Sequence, residues 1–582
     1  MSVQSDFETA ATQLREGRAK SALKTAKAAI KRHKSHPAFP NFAGIALCSL
    51  DQHRAAIPFF QKALKFAPDF HDARKNLAQS LVVLNQFETA ARLLEGLVGK
   101  TPNDSGAWYL LALASYENGI NDRALEAAEH AIELAPGFAQ AFNLRGLILA
   151  SQGRIVEALN DFRTAMKLAP DDVEILLNAS EPLAEHMQHQ VALIALQRAV
   201  AIAPDNTKAQ YWLASQHLSL GDTDAARDGF RTVLDLRPDH AGALERLSAL
   251  QSADDNSDLL PQIRAAMKSQ PAKGTELAQL NFAAGRIEEQ LGHDDKAVSA
   301  WASANRALSV LHPYDADEDS ALNDSLLARF NGTQVQNATM PDGPRPIYVL
   351  GLPRSGTSLT EAVLNANSHV VGLGERSAAS ILIYPLVTKE TPFDAMAIAD
   401  FIRQDSAMLP EFPEGTTAYV DKMPENYRLT GFLLAAYPET TVINVQRDPR
   451  DIALSMWKAG FKGQALGYTY DLKAMAHRFN LYAKSMQHWH KTFPGRIIDL
   501  RYEDMVQDVH AASQLLATHC GLEWEPTMAR PDLNAEQVLT MSASQLRQPV
   551  HTRSVGGWQR YEAMLQPLID GLDPALWPEL DS

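Results

Sequence analysis

The sequence is poor in cysteine, in long apolar runs and in positive charge, and each shortage excludes a class of protein. Two cysteines, Cys48 and Cys520, in 582 residues are too few for a disulfide framework or a cysteine-rich metal site. No apolar stretch approaches the roughly 18 residues that span a bilayer. The opening stretch MSVQSDFETA carries acidic side chains where a secretion signal needs an apolar core. These features predict a cytoplasmic protein without a membrane span.

The charge balance is acidic, with 54 Lys and Arg against 69 Asp and Glu and a formal net charge of −15. Non-specific binding to nucleic acid draws its affinity from a basic surface. Nucleic acid is therefore not an expected partner. An apolar content of 46% and this length are typical of a globular chain with two or three domains.

A spacing of 34 residues organises the first half of the chain. It separates six prolines: Pro68, Pro102, Pro136, Pro170, Pro204 and Pro238. Twelve residues before each proline stands an alanine: Ala56, Ala90, Ala124, Ala158, Ala192 and Ala226. Within a unit, apolar residues recur at helical spacing on both sides of a glycine such as Gly119. The unit is predicted to be a helix, a turn and a second helix that ends before the proline.

These glycine, alanine and proline positions resemble the tetratricopeptide repeat. The resemblance covers residues 2–311, about nine units, and implies an all-α solenoid in which helical pairs stack into a right-handed superhelix. Residues 239–271 depart from the pattern, because the polar stretch SADDNSD is predicted to interrupt a helix. The family implies that a peptide, a protein partner or the acceptor of a reaction binds in the groove.

Residues 312–344 lose helical periodicity and accumulate proline, glycine and asparagine, which predicts a linker before a domain at 345–582. That domain opens with an apolar run, Ile347 to Leu350, then the loop GLPRSGTS, then an amphipathic helix. Strand, glycine-bearing loop and helix form the context of a phosphate-binding loop. Thr357 stands where nucleoside triphosphatases carry lysine, so triphosphate hydrolysis is disfavoured while anion binding by backbone N–H groups is retained.

The sequence PRSGTS resembles the 5′-phosphosulfate loop of sulfotransferases. The likeness is to tyrosylprotein sulfotransferases and to bacterial proteins that join tetratricopeptide repeats to such a domain. It implies a P-loop-like α/β domain around a central parallel sheet, the donor 3′-phosphoadenosine 5′-phosphosulfate, and no metal. The loop residues that would bind the donor are Arg354, Ser355, Gly356, Thr357 and Ser358.

A second strand-to-helix motif, TVINVQRDPRDIALSMW, occupies residues 441–457. Arg447 ends the apolar run, and Ser455 lies about two helical turns further along, where both can face one anion. In sulfotransferases an Arg and a Ser at this spacing hold the 3′-phosphate of the donor. The resemblance therefore assigns Arg447 and Ser455 to donor binding.

The same resemblance assigns three catalytic residues and two further donor contacts. Glu375 corresponds to the general base, since removal of a hydroxyl proton needs a carboxylate within hydrogen-bond reach. Lys422, in DKMP, and Ser542 correspond to groups that stabilise charge on the transferring sulfonate. Tyr502 and Trp558 correspond to a tyrosine and a tryptophan that bind the donor.

The chain departs from tyrosylprotein sulfotransferases at two positions. Gly557 replaces a lysine that precedes the tryptophan, with Arg553 or Arg560 as its substitute. Ser377 replaces an arginine that helps to hold acidic peptides. The acceptor stays open among peptides, glycans, lipids and small molecules.

Two alternatives to a sulfotransferase belong to other classes. One is a non-catalytic scaffold in which the repeats bind partners and the second domain has lost activity. The other is a P-loop kinase or nucleoside triphosphatase. The presence of Glu375, Lys422, Arg354 and Arg447 disfavours the first, and Thr357 disfavours the second.

Overall fold

The computed structural model describes residues 2–185, 188–269, 274–330, 343–461, 464–533 and 549–581. The chain divides into two compact units, Met1–Ala203 and Pro204–Ser582. The bounds predicted from the sequence, 2–311, 312–344 and 345–582, follow the repeat pattern and the motifs, whereas the two units follow internal packing. The boundary between the units falls within the repeats.

The described part of the first unit consists of helices packed in consecutive pairs. They are α1 (Val3–Arg15), α2 (Ala19–Arg32), α3 (Ala38–Cys48), α4 (His53–Phe66), α5 (His71–Val83), α6 (Phe87–Val98), α7 (Ser105–Glu117), α8 (Asn121–Leu134), α9 (Ala139–Ser151), α10 (Ile155–Leu168), α11 (Val173–Glu185) and α12 (His189–Ile202). The alanines of the 34-residue spacing are at most 1% exposed, and Gly119 takes a left-handed φ of 76° at its turn. A Cβ on Gly146 would lie 2.9 Å from the Phe162 ring, so glycine permits close helix contact there.

The second unit begins with further repeat helices: α13 (Thr207–Leu220), α14 (Thr223–Leu236), α15 (Ala241–Leu250), α16 (Ala253–Ser269), α17 (Thr275–Gln290) and α18 (Asp294–Leu311). The predicted interruption at SADDNSD is wrong, because α16 runs through this stretch. The Ser252 hydroxyl oxygen accepts the N–H of Asp255 at 3.3 Å. Asp254 and Asp255 lie in the first turn, where the helix dipole favours negative charge. The polar stretch thus starts the helix.

The predicted linker contains one more helix, α19 (Ala316–Ala328). Asp315 caps it by accepting the N–H groups of Asp317 and Glu318, both at 3.0 Å. Asp319 is 8% exposed and accepts from two buried arginines of the following domain, Arg428 and Arg478. Helix α19 is therefore anchored on the second domain by a buried ionic network.

The second domain is built on a five-stranded parallel sheet of order β2-β3-β1-β4-β5. The strands are β1 (Arg345–Gly351), β2 (Val370–Gly372), β3 (Ala418–Asp421), β4 (Thr441–Gln446) and β5 (Ile497–Arg501). Strand β1 is central, with Ile347 beside Val420 and Thr441. Together with the repeat helices, this sheet confirms the predicted fold class. Helices on both faces of a parallel sheet leave the carboxyl ends of the strands open to ligands.

The domain's helices follow the strands along the chain. They are α20 (Thr357–Asn365), α21 (Ala378–Thr388), α22 (Ala395–Ala407), α23 (Thr430–Ala436), α24 (Pro449–Trp457), α25 (Leu472–Thr492), α26 (Tyr502–Gln507), α27 (Val509–His519) and α28 (Glu562–Ile569). Across the described ranges, none of the chain's helices is long and apolar enough to cross a bilayer.

Candidate functional site

The loop between β1 and α20 has the backbone of a phosphate-binding turn. Gly351, Arg354 and Gly356 take left-handed φ values of 148°, 71° and 111°. A Cβ on Gly351 would lie 2.6 Å from the Val445 carbonyl oxygen, so only glycine fits beside strand β4. For Arg354, a left-handed φ costs free energy and is found mainly at functional loops. The loop ends at the N-terminus of α20, where backbone N–H groups favour an anion.

Ser355 and Thr357 of this loop are buried, at 0% and 4% exposure. Within the described ranges, the Ser355 hydroxyl oxygen has no hydrogen-bond partner. A buried polar atom without a partner is costly, so a ligand that supplies one would gain from it. This atom supports anion binding inside the loop.

Three of the predicted donor contacts meet at this loop. Arg354 Nε donates to Ser455 Oγ at 2.9 Å, and Arg447 Nη1 donates to the Arg354 carbonyl at 3.0 Å. Burial lowers the pKa of the Arg354 guanidinium, and the neighbouring positive charge of Arg447 lowers it further. Two adjacent cations are stabilised by a bound anion. The structure thus pairs Ser455 with Arg354 directly, a contact that the spacing of Arg447 and Ser455 does not predict.

Tyr502 follows strand β5 and packs against the loop. A Cβ on Gly356 would overlap the Tyr502 ring, and the Arg447 guanidinium lies 4.5 Å from the ring centroid. The Tyr502 hydroxyl and Ser554 Oγ are 2.8 Å apart. Arg447 Nη2 donates to the Ser554 carbonyl at 2.6 Å. Tyr502 and Arg447 therefore connect the phosphate loop to the late segment that carries Trp558.

That late segment is held by a residue that the sequence did not single out. Asp451, on α24, accepts the N–H of Gly556 at 2.7 Å and that of Trp558 at 3.0 Å. Burial raises the pKa of the Asp451 carboxyl. The Arg450 guanidinium stacks 3.8 Å from the centroid of the Trp558 ring. The motif RDPRD contains Asp451, but only the tertiary fold brings it against a segment about a hundred residues later.

Glu375 and Lys422 form a direct pair. Lys422 Nζ donates to Glu375 Oε1 at 2.5 Å, with Lys422 fully buried and the Glu375 side chain 50% exposed. The Lys422 N–H also donates to the Gly374 carbonyl at 2.9 Å. Both residues follow neighbouring strands, β2 and β3, whose carboxyl ends meet at one edge of the sheet. A half-exposed carboxylate and a buried ammonium are thus presented together.

The residues next to this pair form a second, buried ionic cluster. Arg376 donates to Asp405 at 2.7 Å and to Asp421 at 3.3 Å. The Tyr437 hydroxyl donates to Asp405 at 2.6 Å. Burial raises the pKa of Asp421 to about 7, despite the opposing charge of Arg376. Asp421 and Lys422, although adjacent in sequence, do not pair with each other, since both are buried and each bonds to a different partner.

Glu361, on α20, joins the phosphate loop's helix to the Glu375 loop. It is 5% exposed and accepts the Gly374 N–H at 2.7 Å. Burial raises its pKa, whereas the charge of Lys422 lowers it. No motif in the sequence marked Glu361. A carboxyl group on the helix after a phosphate loop is ordinarily a solvated residue.

Two further predictions have different outcomes. Ser542 lies outside the described residues. Arg560, named as a substitute for the missing lysine beside Trp558, instead pairs with Asp294 of the repeat region, where its Nε donates at 2.7 Å. Arg553 is exposed.

Across the ranges that the structure describes, no group of three or more His, Cys, Asp or Glu residues is placed to hold a metal ion.

Comparisons with known proteins agree with this geometry. Residues 346–526 match the sulfotransferase family. Residues 47–114 match the tetratricopeptide repeat, as do the overlapping ranges 116–173, 143–207 and 183–241. The chain joins tetratricopeptide repeats to a sulfotransferase-family domain. Both predicted resemblances are confirmed at this level.

Three curated relatives are similar to this chain at low sequence identity. An uncharacterized protein of Aquifex aeolicus is 26% identical over 60% of this chain and 48% of its own length. A putative protein-tyrosine sulfotransferase of Caenorhabditis briggsae is 26% identical over 36% of this chain and 80% of its own length. The human protein O-mannosyl-transferase TMTC3 is 24% identical, and the chain spans 24% of that protein's length.

Among solved structures, a thermophilic tetratricopeptide repeat protein of Thermus thermophilus is 25% identical. It matches 31% of this chain and 99% of its own length with a TM-score of 0.29. The chain thus spans about half of the length of the Aquifex aeolicus relative and about a quarter of that of TMTC3, whereas it covers most of the Caenorhabditis briggsae relative and nearly all of this repeat protein.

Proposed function

We propose that the protein transfers a sulfonate group from 3′-phosphoadenosine 5′-phosphosulfate to a hydroxyl of an acceptor. The observation that carries this proposal is the Glu375–Lys422 pair, in which Lys422 Nζ lies 2.5 Å from Glu375 Oε1. The pair lies at the carboxyl ends of the strands, as does a phosphate loop that lacks the lysine of triphosphatases. The sulfotransferase family match supports it.

Donor binding is assigned to the loop and the two arginines. The N-terminus of α20 and Arg354 would hold the 5′-phosphosulfate, because a planar guanidinium and helix N–H groups both suit oxyanions. Arg447 and Ser455 would hold the 3′-phosphate. Tyr502 and Trp558 offer aromatic faces, each covered on one side by an arginine.

The chemical step is a direct in-line transfer. As the acceptor oxygen attacks sulfur, Glu375 accepts the hydroxyl proton. A bond forms between this oxygen and sulfur, and the bond from sulfur to the bridging phosphate oxygen breaks. Lys422 donates to that bridging oxygen as negative charge grows there. Because Lys422 is fully buried, its charge acts in a poorly screened environment.

The resting pair must rearrange for this step. Lys422 is bonded to Glu375 in the structure, so it would turn from the carboxylate towards the donor once the donor is bound. That exchange would free Glu375 to accept the proton. Ser542 keeps its assignment as a further stabilising group by resemblance alone.

Two observations bear on the class of acceptor. The name of the Caenorhabditis briggsae relative supports a tyrosine hydroxyl as the first acceptor to test. Ser377 stands where a peptide-binding arginine is expected. The neighbouring Arg376 cannot replace it, since its side chain is 10% exposed and is bonded to Asp405 and Asp421. Glycans, lipids and small molecules therefore stay in the test.

The repeat region is proposed to bind a peptide, a protein partner or the acceptor. A cavity of about 420 Å³ supports this role within the second unit. Its lining includes Tyr211, Arg237, His240, Thr275, Glu276, Gln279 and Phe461. Phe461 belongs to the sulfotransferase-family domain, so a ligand there would contact both parts of the unit. The cytoplasmic location stays a prediction from the sequence.

Activity profiling with labelled donor tests the proposal. The purified protein is incubated with a cell extract, tyrosine peptides, oligosaccharides and lipid extracts, with Lys422→Met as the inactive comparison. We expect label on an acceptor with the wild type and a loss of about 100-fold or more with Lys422→Met, the scale of a lost electrostatic contact. Absence of label from every acceptor, with equal results for both proteins, would favour the scaffold alternative.

A further inference from the structure

The last helical pair of the repeat region, α17 and α18, contacts both elements that flank the predicted 3′-phosphate site. One is the carboxyl end of α24, the helix that carries Ser455. The other is the segment of residues 554–561, here called the donor strap, which carries Trp558. All of these elements belong to the second compact unit.

Glu289, on α17, is the point where the two elements meet. It accepts from Lys458, the residue that follows α24, and from the Tyr561 hydroxyl at 2.9 Å. Lys458 Nζ lies 4.9 Å from the Trp301 ring centroid and 5.2 Å from that of Tyr561. The carboxylate of Glu289 thus neutralises a cation that is also enclosed by two aromatic rings.

Two more contacts reinforce this junction. Arg560 Nε donates to Asp294 Oδ2, at the start of α18, at 2.7 Å. Asn305, fully buried on α18, donates to the Trp457 carbonyl at 2.9 Å. Helix α18 therefore holds one end of the donor strap and satisfies a backbone acceptor at the end of α24.

The other end of the donor strap is fixed inside the sulfotransferase-family domain. Arg447 donates to the Ser554 carbonyl, and Asp451 accepts the N–H groups of Gly556 and Trp558. The strap is therefore held at Ser554 by donor-site residues and at Tyr561 by the repeat region. Loss of the second anchor would let the segment with Trp558 shift relative to Ser455.

We propose that Glu289 and Asp294 are positioning residues for donor binding, so that the final repeat pair is a structural part of the donor site. The proposal rests on the proposed function where it concerns the donor. Its geometric part is that α17 and α18 hold the donor strap in place, and this can be measured without any ligand. It also implies that a partner bound on α17 and α18 can change donor affinity, because it acts on the same anchor.

Hydrogen exchange of the donor-free protein tests the geometric content. Glu289→Gln should speed exchange in peptides that cover residues 554–561, including the N–H groups of Gly556 and Trp558. Asp295→Asn is the matched control. Asp295 is exposed and lies next to Asp294, and this substitution removes one negative charge, as Glu289→Gln does. Unchanged exchange in Glu289→Gln would overturn the proposal.

Calorimetry with adenosine 3′,5′-bisphosphate tests the donor content. We expect Glu289→Gln to raise Kd about three- to tenfold, the scale of a partly exposed ionic contact acting on position, with no change for Asp295→Asn. If the wild type fails to bind the bisphosphate, the proposed donor is wrong, while the exchange experiment still decides whether the repeat pair fixes the strap. If the wild type binds and Glu289→Gln binds equally well, the positioning role is wrong.

A charge exchange guards against misfolding of a single variant. Asp294→Arg brings two arginines together and should raise the KM for donor while kcat is largely kept. The double variant Asp294→Arg with Arg560→Asp restores opposite charges and should recover the wild-type KM. A merely structural role would give no recovery of KM, and that result contradicts the proposal.

Discussion

Lys422 and Glu375 form a hydrogen bond of 2.5 Å between an ammonium with no solvent exposure and a half-exposed carboxylate. Each residue follows the carboxyl end of a neighbouring parallel strand, so the sheet itself sets their separation. The opposite charges of the two side chains balance each other. The pair also holds the half-exposed carboxylate of the proposed base in place, where an incoming hydroxyl can reach it.

Replacement of the proposed base separates chemistry from donor binding. Glu375→Gln keeps the size of the side chain but cannot take a proton, so turnover should fall by roughly 10² to 10⁴, while bisphosphate affinity persists. Glu414→Gln, at an exposed position of the same domain, is the control. Steady-state kinetics and calorimetry on both variants make the comparison. If Glu375→Gln turned over at the wild-type rate, Glu375 would not be the base. Asp421 and His369 would then be the next residues to examine.

The donor should be distinguished by its 3′-phosphate. A charge-assisted contact to phosphate contributes on the order of 1.5 to 3 kcal/mol, so adenosine 3′,5′-bisphosphate should bind about 10- to 100-fold more tightly than AMP. Ser455→Ala should narrow this ratio, because Ser455 is assigned to the 3′-phosphate. The variant should also weaken the binding of both nucleotides, because Ser455 Oγ accepts from Arg354 at 2.9 Å. Ser406→Ala, on α22, serves as the control. Equal affinity of the wild type for the two nucleotides would refute the assignment of Arg447 and Ser455.

Turnover should survive removal of divalent metal. The loop carries Thr357 in place of the lysine that works with magnesium in triphosphatases, and the proposed charge stabilisation comes from Lys422 and the arginines. An assay in excess EDTA should therefore retain full activity, and readdition of magnesium should leave the rate unchanged. Complete loss on chelation, with recovery by magnesium, would favour the triphosphatase alternative.

Asp421 should make the protein less stable as pH rises from about 4 to about 7. Burial raises its pKa from 3.8 to about 7, so the folded state binds its proton more tightly than the unfolded state. This contribution to stability is fully present below the unfolded pKa of 3.8 and is lost as pH rises to about 7. Asp421→Asn should therefore gain stability relative to the wild type across that interval. Urea midpoints measured over the same pH range check the trend, and a parallel offset at every pH would argue against it.

The sequence predicts those features that depend on local spacing. Regular prolines and buried alanines such as Ala124 identify the helical pairs, and the glycines of the phosphate loop identify its backbone. Strand ends also locate Arg447 and Lys422. These signals are local because they arise from helix period, turn geometry and strand-to-helix junctions.

Other features depend on residues that meet only in the folded domain. Asp451 reaches Trp558 and Glu361 reaches Gly374 through tertiary contacts, and no short motif marks them. Likewise, Glu289 contacts Tyr561 across 272 residues of sequence. The repeat signal does not indicate that contact, since the positions that define a repeat are those that pack inside it.

A paired transfer assay tests sulfonate transfer most directly. The purified protein receives an acceptor together with either labelled 3′-phosphoadenosine 5′-phosphosulfate or γ-labelled ATP, and the labelled product is identified. The Glu375–Lys422 pair and the loop without its lysine predict that sulfonate label moves to the acceptor hydroxyl while ATP stays intact. Cleavage of ATP or phosphate label on the acceptor, with no transfer from the sulfonate donor, would contradict the proposal that the protein is a sulfotransferase.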